Sequence, residues 1–159
     1  MNSIRAAVIT VSDTRAVDND LSGNLLVELL AIDGAEIVER LIVSDDLLDL
    51  RETLRALATR DDINLIITTG GTGFGPRDNT PEATRAVIDR ETPGLAEAMR
   101  RESAAKTPMS MLSRAVCGIR GNTLIVNLPG SPKGVDECYE VIRPVLRHAI
   151  NLINGETKH

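Results

Sequence analysis

Two carboxylates, Asp45 and Asp78, are the residues of this chain best suited to chemistry, and each follows an apolar run. Asp45 stands in "SDD" (44–46) after "EIVERLIV", and Asp78 in "TTGGTGFGPRDNTPEA" (68–83) after "INLIIT". The second stretch is rich in glycine, which permits positive φ and lets the backbone approach a ligand closely. Successive exposed N–H groups ahead of a helix N-terminus can cradle an anion. Neither standard phosphate motif is present: no lysine occurs between 68 and 83, and proline fills position 76 after Gly71-Thr72-Gly73. The segment is therefore an anion or nucleotide loop of another design, or a tight turn. Aspartate beside a phosphate-binding backbone is repulsive unless a cation neutralises it. Mg2+ usually takes one or two carboxylates, waters and substrate phosphates. Two such acids point to metal-assisted phosphoryl or nucleotidyl transfer. The plainer alternative makes Asp45 a helix cap and Asp78 a turn residue paired with Arg77.

Acids so far apart in sequence can share a site only if their strands end at one edge. "RAAVITV" (5–11) reads as a buried strand, short, apolar and β-branched, and "EIVERLIV" (36–43), "INLIIT" (63–68) and "NTLIVNL" (122–128) are further strand candidates. Helices are expected between them. The first begins near Ser22, carries Leu25, Leu26, Leu29 and Leu30, and stops at Gly34. The second is capped by Ser44 or Asp45 and presents Leu47, Leu50, Leu54, Leu57 and Ala58 at helical spacing. A third starts with Thr80 as cap and Pro81 as first residue and runs to Pro93-Gly94, where another begins and continues to about 104. The last carries Val135, Cys138, Ile142, Val145, Ala149 and Leu152 on one face, and Pro144 should kink or split it. This alternation predicts an α/β fold, a mostly parallel sheet with helices on both faces. Ligands then bind outside the carboxyl ends of the strands. Four polar segments would meet there: Ser12-Asp13, Ser44 to Asp46, the glycine stretch, and "NLPGSPKG" from Asn127.

Composition narrows the classes. The chain has 159 residues, 42% hydrophobic, with a formal charge of −5 and pI near 5.1. That is one domain, here 1–154 with a loose tail 155–159, and a poor candidate for nucleic-acid binding through a basic patch. Phe74 and Tyr139 are the only aromatics, too few for base stacking. No apolar stretch approaches membrane-spanning length and the start does not read as a signal peptide, so a cytoplasmic protein is expected. Cys117 and Cys138 lack metal-ligand spacing and read as small core residues. His148 and His159 have no partner at catalytic spacing. "RRES" (100–103) and "DDLLDLRE" (45–52) read as solvated helix faces, and Ser113 in "MLSR" as a cap.

The glycine stretch with "RDNTPEA", followed by "MLSRAVCGIRGNTLIVNLPGSPKG", resembles the MogA/MoaB family of molybdenum cofactor biosynthesis proteins, related to the G domains of gephyrin and plant Cnx. The likeness runs from the first strand to the last helix. It implies a three-layer α/β sandwich and a homotrimer or homohexamer, and leaves the MogA-like and MoaB-like branches open. It implies that molybdopterin and ATP are substrates and that AMP is transferred to the terminal phosphate of molybdopterin with Mg2+, releasing pyrophosphate. Other molybdenum cofactor biosynthesis proteins are possible partners. The family's two essential aspartates match Asp45 and Asp78, the expected catalytic and Mg2+ residues. Gly70, Gly71, Thr72 and Gly73 match its phosphate loop, Ser113 its pterin-site serine, and Asn127, Pro129, Gly130 and Ser131 its second binding turn. Asp13 matches a strand end near the same cleft. A non-catalytic carrier of molybdopterin is the alternative.

Overall fold

A computed structural model describes residues 3–156. Six strands form one sheet: β1 (Arg5–Val11), β2 (Glu36–Val43), β3 (Leu65–Thr69), β4 (Arg90–Glu91), β5 (Cys117–Arg120) and β6 (Thr123–Leu128). Their order is β2-β1-β3-β6-β5-β4. The first four of that order run parallel, whereas β5 lies antiparallel to β6 and β4 antiparallel to β5. The helices are α1 (Leu21–Ile32), α2 (Leu47–Ala58), α3 (Thr80–Val87), α4 (Pro93–Ala104) and α5 (Pro132–Ile153).

Alternation along β1 divides the core in two. Ala6 and Val8 face a cluster with Leu26 and Leu30 of α1, Met99 of α4, and Ile142, Leu146 and Ile150 of α5. Ala7 and Ile9 face Leu50, Leu54 and Leu57 of α2 and Val87 of α3. The sheet is thus sandwiched between helical layers, as expected for a fully covered parallel sheet. Each buried leucine contributes about 1.5–3 kcal/mol relative to exposure. The chain leaves β1 for β2 on one side and reaches β3 on the other, so the strand order reverses between β1 and β3. Such a reversal opens a crevice at the carboxyl edge.

Several local expectations shift. Asp46, not Ser44 or Asp45, caps α2: its Oδ1 accepts from the Leu48 and Asp49 N–H groups at 3.0 and 3.1 Å. Asn79 occupies the cap position of α3, because the Thr80 hydroxyl donates to the Gly70 carbonyl at 2.9 Å instead. Helix α3 ends at Val87, well before Pro93: the Asp89 N–H pairs with the Ile119 carbonyl at 2.7 Å and draws the chain into β4. Helix α5 runs unbroken through Pro144, whose ring stands on its exposed side between buried Ile142 and Leu146. Its inner stripe is Val135, Cys138, Tyr139, Ile142, Leu146 and Ile150, while Val145 and Leu152 are about half exposed. Asp33 binds Arg143 bidentately at 2.7 and 2.9 Å and accepts from Tyr139 Oη at 2.7 Å, tying α1 to α5.

Both cysteines are buried and free, and burial pushes the Cys117 thiol up to about 12 and the Cys138 thiol upward. They stay protonated and behave as small apolar residues. His148 is exposed, whereas His159 and the end of the expected tail lie outside the described residues. Gly155, at φ 77°, closes α5: the Gly155 and Glu156 N–H groups donate to the Leu152 and Asn151 carbonyls at 3.1 and 2.9 Å. No described helix is long and apolar enough to cross a membrane.

Candidate active site

The ends of β2, β1, β3 and β6 bring the four polar segments to one edge, and Asp13 and Asp45 interlock there. The Asp13 N–H donates to Asp45 Oδ2 at 3.0 Å, and the Asp45 N–H returns a bond to Asp13 Oδ1 at 3.0 Å. Arg77 grips Asp13, Nε to Oδ2 at 2.7 Å and Nη2 to Oδ1 at 3.0 Å. Its partner is therefore Asp13, not Asp78. The Asp13 carboxyl is held below its ordinary value, chiefly by the Arg77 bonds and then by the Asp45 N–H. Half-buried Asp45 is pushed the other way, first by desolvation and then by the Asp13 charge, with Asp78 adding to the repulsion.

Asp78 closes the glycine loop on itself, its Oδ2 accepting from the Gly75 N–H at 2.8 Å. A Cβ at Gly73 or Gly75 would lie 2.9 Å from that oxygen, so a side chain at either position would push the Asp78 carboxylate aside. Gly70 and Gly71 have φ of 101° and 68°, and a Cβ at Gly70 would stand 2.6 Å from the Val11 carbonyl oxygen. Only glycine meets both demands. Arg114 then fastens the loop from behind: Nε donates to the Gly73 carbonyl at 2.8 Å and Nη2 to the Asp78 carbonyl at 2.7 Å, with Nη1 on Glu82.

Beyond Thr72 and Gly73 lies a cavity of about 280 Å3, at the small end of ligand-sized pockets. Its lining includes Ser113, Asn127, Pro129 and Ser131 of the expected residues and the apolar Ala96, Met99 and Leu112. Asn127 spends its whole amide inside the protein, accepting from the Val116 N–H and donating to Thr68 and Thr84 hydroxyls. It holds the wall in shape. Ser131 caps α5 through the Gly134 N–H at 3.0 Å, and Ser113 Oγ accepts from the Ala115 N–H at 3.3 Å.

Gly70, Gly71, Gly130 and the three aspartates do not border the cavity. Gly130 packs on the glycine loop, where a Cβ would lie 3.3 Å from Gly70 Cα. Its carbonyl accepts from Ser22 Oγ at 2.6 Å and from Arg15 at 3.2 Å. Asp20, completely buried, caps α1 through the Gly23 N–H at 3.0 Å and accepts from the Thr10 hydroxyl at 2.5 Å. These braces escaped the sequence reading, as did Arg114 and Arg100. Arg100 is no solvated residue of "RRES": it donates to the Ala115 carbonyl at 2.9 Å. "DNDLSG" carried the missed signal, an aspartate three residues ahead of a glycine at a helix start.

Residues 7–148 match the family described as a probable molybdopterin binding domain. The chain belongs to that family. A curated relative of this molybdopterin binding domain is the molybdenum cofactor synthesis protein cinnamon of Drosophila melanogaster, 44% identical over 98% of this chain. The chain spans only 26% of cinnamon's length. The molybdopterin adenylyltransferase of Helicobacter pylori strain J99 is 38% identical, with 98% of this chain and 90% of that protein covered. Among solved structures, MoaB from Thermus thermophilus superposes with a TM-score of 0.88 at 47% identity, covering 96% of this chain and 97% of that one. The three-layer α/β fold of the family is the fold described above.

Proposed function

We propose that this chain is a molybdopterin adenylyltransferase, taking molybdopterin and ATP to adenylyl-molybdopterin and pyrophosphate in molybdenum cofactor biosynthesis. A terminal phosphate oxygen of molybdopterin attacks the α-phosphorus of ATP, and the bond to the bridging α–β oxygen breaks as pyrophosphate leaves. The observation that carries the reading is the stacking, on one glycine loop, of an acid cluster on one side and a ligand-sized cavity on the other. The 38% identity to a named adenylyltransferase along nearly the whole chain supports it.

The acid cluster fits a divalent cation. Arg77 pairs with Asp13, and the pKa of Asp45 is raised first by desolvation and then by the charges of Asp13 and Asp78. Among the described residues, Asp45 Oδ1 and Asp78 Oδ1 accept no hydrogen bond. No three acidic, histidine or cysteine side chains there could hold a metal by themselves, so water and phosphate oxygens would complete the shell, as Mg2+ prefers. Asp45 and Asp78 would hold Mg2+, which when bound would offset charge on the ATP phosphates. The protein's own part is positioning. The loop N–H groups from Gly71 to Gly73 and Ser113 orient the molybdopterin phosphate, while the Gly70 N–H anchors the loop on the Leu128 carbonyl. Arg77 fixes Asp13 and through it Asp45, and Arg114 fixes the loop. Preorganisation of this kind supplies much of an enzyme's rate enhancement.

The test is an anaerobic single-turnover reaction of purified protein with molybdopterin, ATP and MgCl2, read as adenylylated pterin by mass and as pyrophosphate. Stoichiometric product is expected. Tight molybdopterin binding without product would replace the enzyme by a carrier.

A further inference from the structure

The cavity holds one acid. Glu137 of α5 lines its wall with a side chain 17% exposed. Its ion-pair partner, Lys133 Nζ, is 3.9 Å away on a side chain 83% exposed, too distant for a hydrogen bond. Among the described residues Glu137 accepts no hydrogen bond. Most of the other polar groups that line the cavity are committed elsewhere: Asn127 to its three internal partners, Ser131 to Gly134, Thr107 to Met109, Ser113 to Ala115, Ser103 to Cys138, and Arg100 to the Ala115 carbonyl. The buried Ser110 hydroxyl has no partner among the described residues. A largely covered carboxylate without donors is costly. This one faces a space whose lining is mostly apolar, with Ala96, Met99, Leu112 and Pro129 among its walls. Such walls suit the faces of a flat heteroaromatic ring, with a methionine thioether against it. The carboxylate then suits a ring edge that carries two adjacent donors.

We infer that Glu137 is the specificity-determining residue of the cavity, its two carboxylate oxygens receiving the N3–H and 2-amino N–H of the pterin's 2-amino-4-oxo edge. The inference rests on the reading that the pterin, not the nucleotide, enters this cavity. Adenine sets one amine beside a ring-nitrogen lone pair, so the same carboxylate would gain one bond and meet one repulsion. Glu137 thereby keeps the adenine of ATP out of the pterin's place. Paired charge-assisted bonds give geometric selectivity as well as energy.

Two fluorescent probes test it: 6-hydroxymethylpterin, and 6-hydroxymethyllumazine, in which a 2-oxo group replaces the amine. Each is titrated against the wild-type protein, Glu137→Gln and Glu137→Ala, with thermal unfolding as the folding control. The wild type should favour the pterin roughly 10-fold or more, the scale of a hydrogen bond to a charged group. Glu137→Gln should erase or reverse the preference, because its amide can donate to the 2-oxo group, and Glu137→Ala should level the two. An unchanged preference in Glu137→Gln, with pterin still bound, would overturn the role of Glu137 and leave the pterin reading standing. A wild type that binds ATP but neither probe would overturn both.

Discussion

Asp13, Asp45 and Asp78 crowd one side of the glycine loop with Arg77 bound to Asp13, whereas the other side opens on a cavity walled by Ala96, Met99 and Leu112. The first region is over-charged and spends its hydrogen bonds on fixing carboxylates. The second is mostly apolar, and most of its polar groups, Asn127 above all, fix the walls, leaving Glu137 free to meet a ligand. Charge stabilisation needs groups held in place before the reaction, and ring recognition needs shape with one or two placed polar contacts. One glycine loop serves both, since its backbone can face either side without a side chain in the way. The comparison predicts a division of labour, with rate set on the acid side and affinity on the cavity side.

The largest break should come at Asp45. Asp45→Asn keeps an acceptor for the Asp13 N–H but removes the charge, and turnover should fall about 10²–10³-fold, measured by single-turnover product formation, with pterin affinity nearly unchanged. Arg114→Met cuts the loop from its support and should damage both functions together, each by about 10-fold, read as kcat and as pterin Kd. Gly71→Ala forces a side chain into φ 68° and against the Thr80 hydroxyl. A loss of about 1–3 kcal/mol in urea unfolding is expected.

The smallest effect sharpens the comparison through pH. The folded-state pKa of Asp45 is raised above its ordinary 3.8, so the folded protein holds that proton more tightly than the unfolded chain. Its contribution favours folding below that ordinary value and is lost as pH rises through the raised one. At neutral pH the charge at Asp45 is therefore a burden on stability. Asp45→Asn should melt about 2–4 °C above the wild type at pH 7, and the gap should close as pH falls towards 4. Calorimetry across that range measures it.

How much of this was legible follows from what kind of signal each part carries. The parallel strands are mostly apolar runs, although Glu39 and Arg40 interrupt β2, and β1 and β2 coincide with the expected ranges. From them the meeting of residues 12–13, 44–46, 68–83 and 127–131 at one edge followed directly. Strands β4 and β5 were hidden because they are two and four residues long and carry arginine and glycine. A cue existed: Gly121-Asn122 joins paired Arg120 and Thr123, with Gly121 at φ 55°, the first turn position where a two-residue hairpin favours glycine. On α5 the stripe was misread after Ile142, where steps of three and four both fit and Leu146, not Val145, points inward. The gathering of the acids at one edge was legible because it follows from where the strands end. Their bonding was not, since the choice of Asp13 over Asp78 by Arg77 depends on how two distant loops pack. Arg114 and Glu137 carry no local sequence signal and gain meaning only from the loop and the cavity they face.

The most direct test of the division between the two sides is a rapid-quench comparison of Asp78→Asn with Ser103→Leu, which fills the cavity from α4. The account predicts that Asp78→Asn lowers the rate of adenylyl transfer at saturating pterin by about 10²-fold or more with pterin Kd unchanged. Ser103→Leu should weaken pterin binding about 10-fold or more while leaving the rate at saturation near wild type. A folded Asp78→Asn protein that turns over at the wild-type rate, or two variants that lose rate and affinity alike, would contradict it.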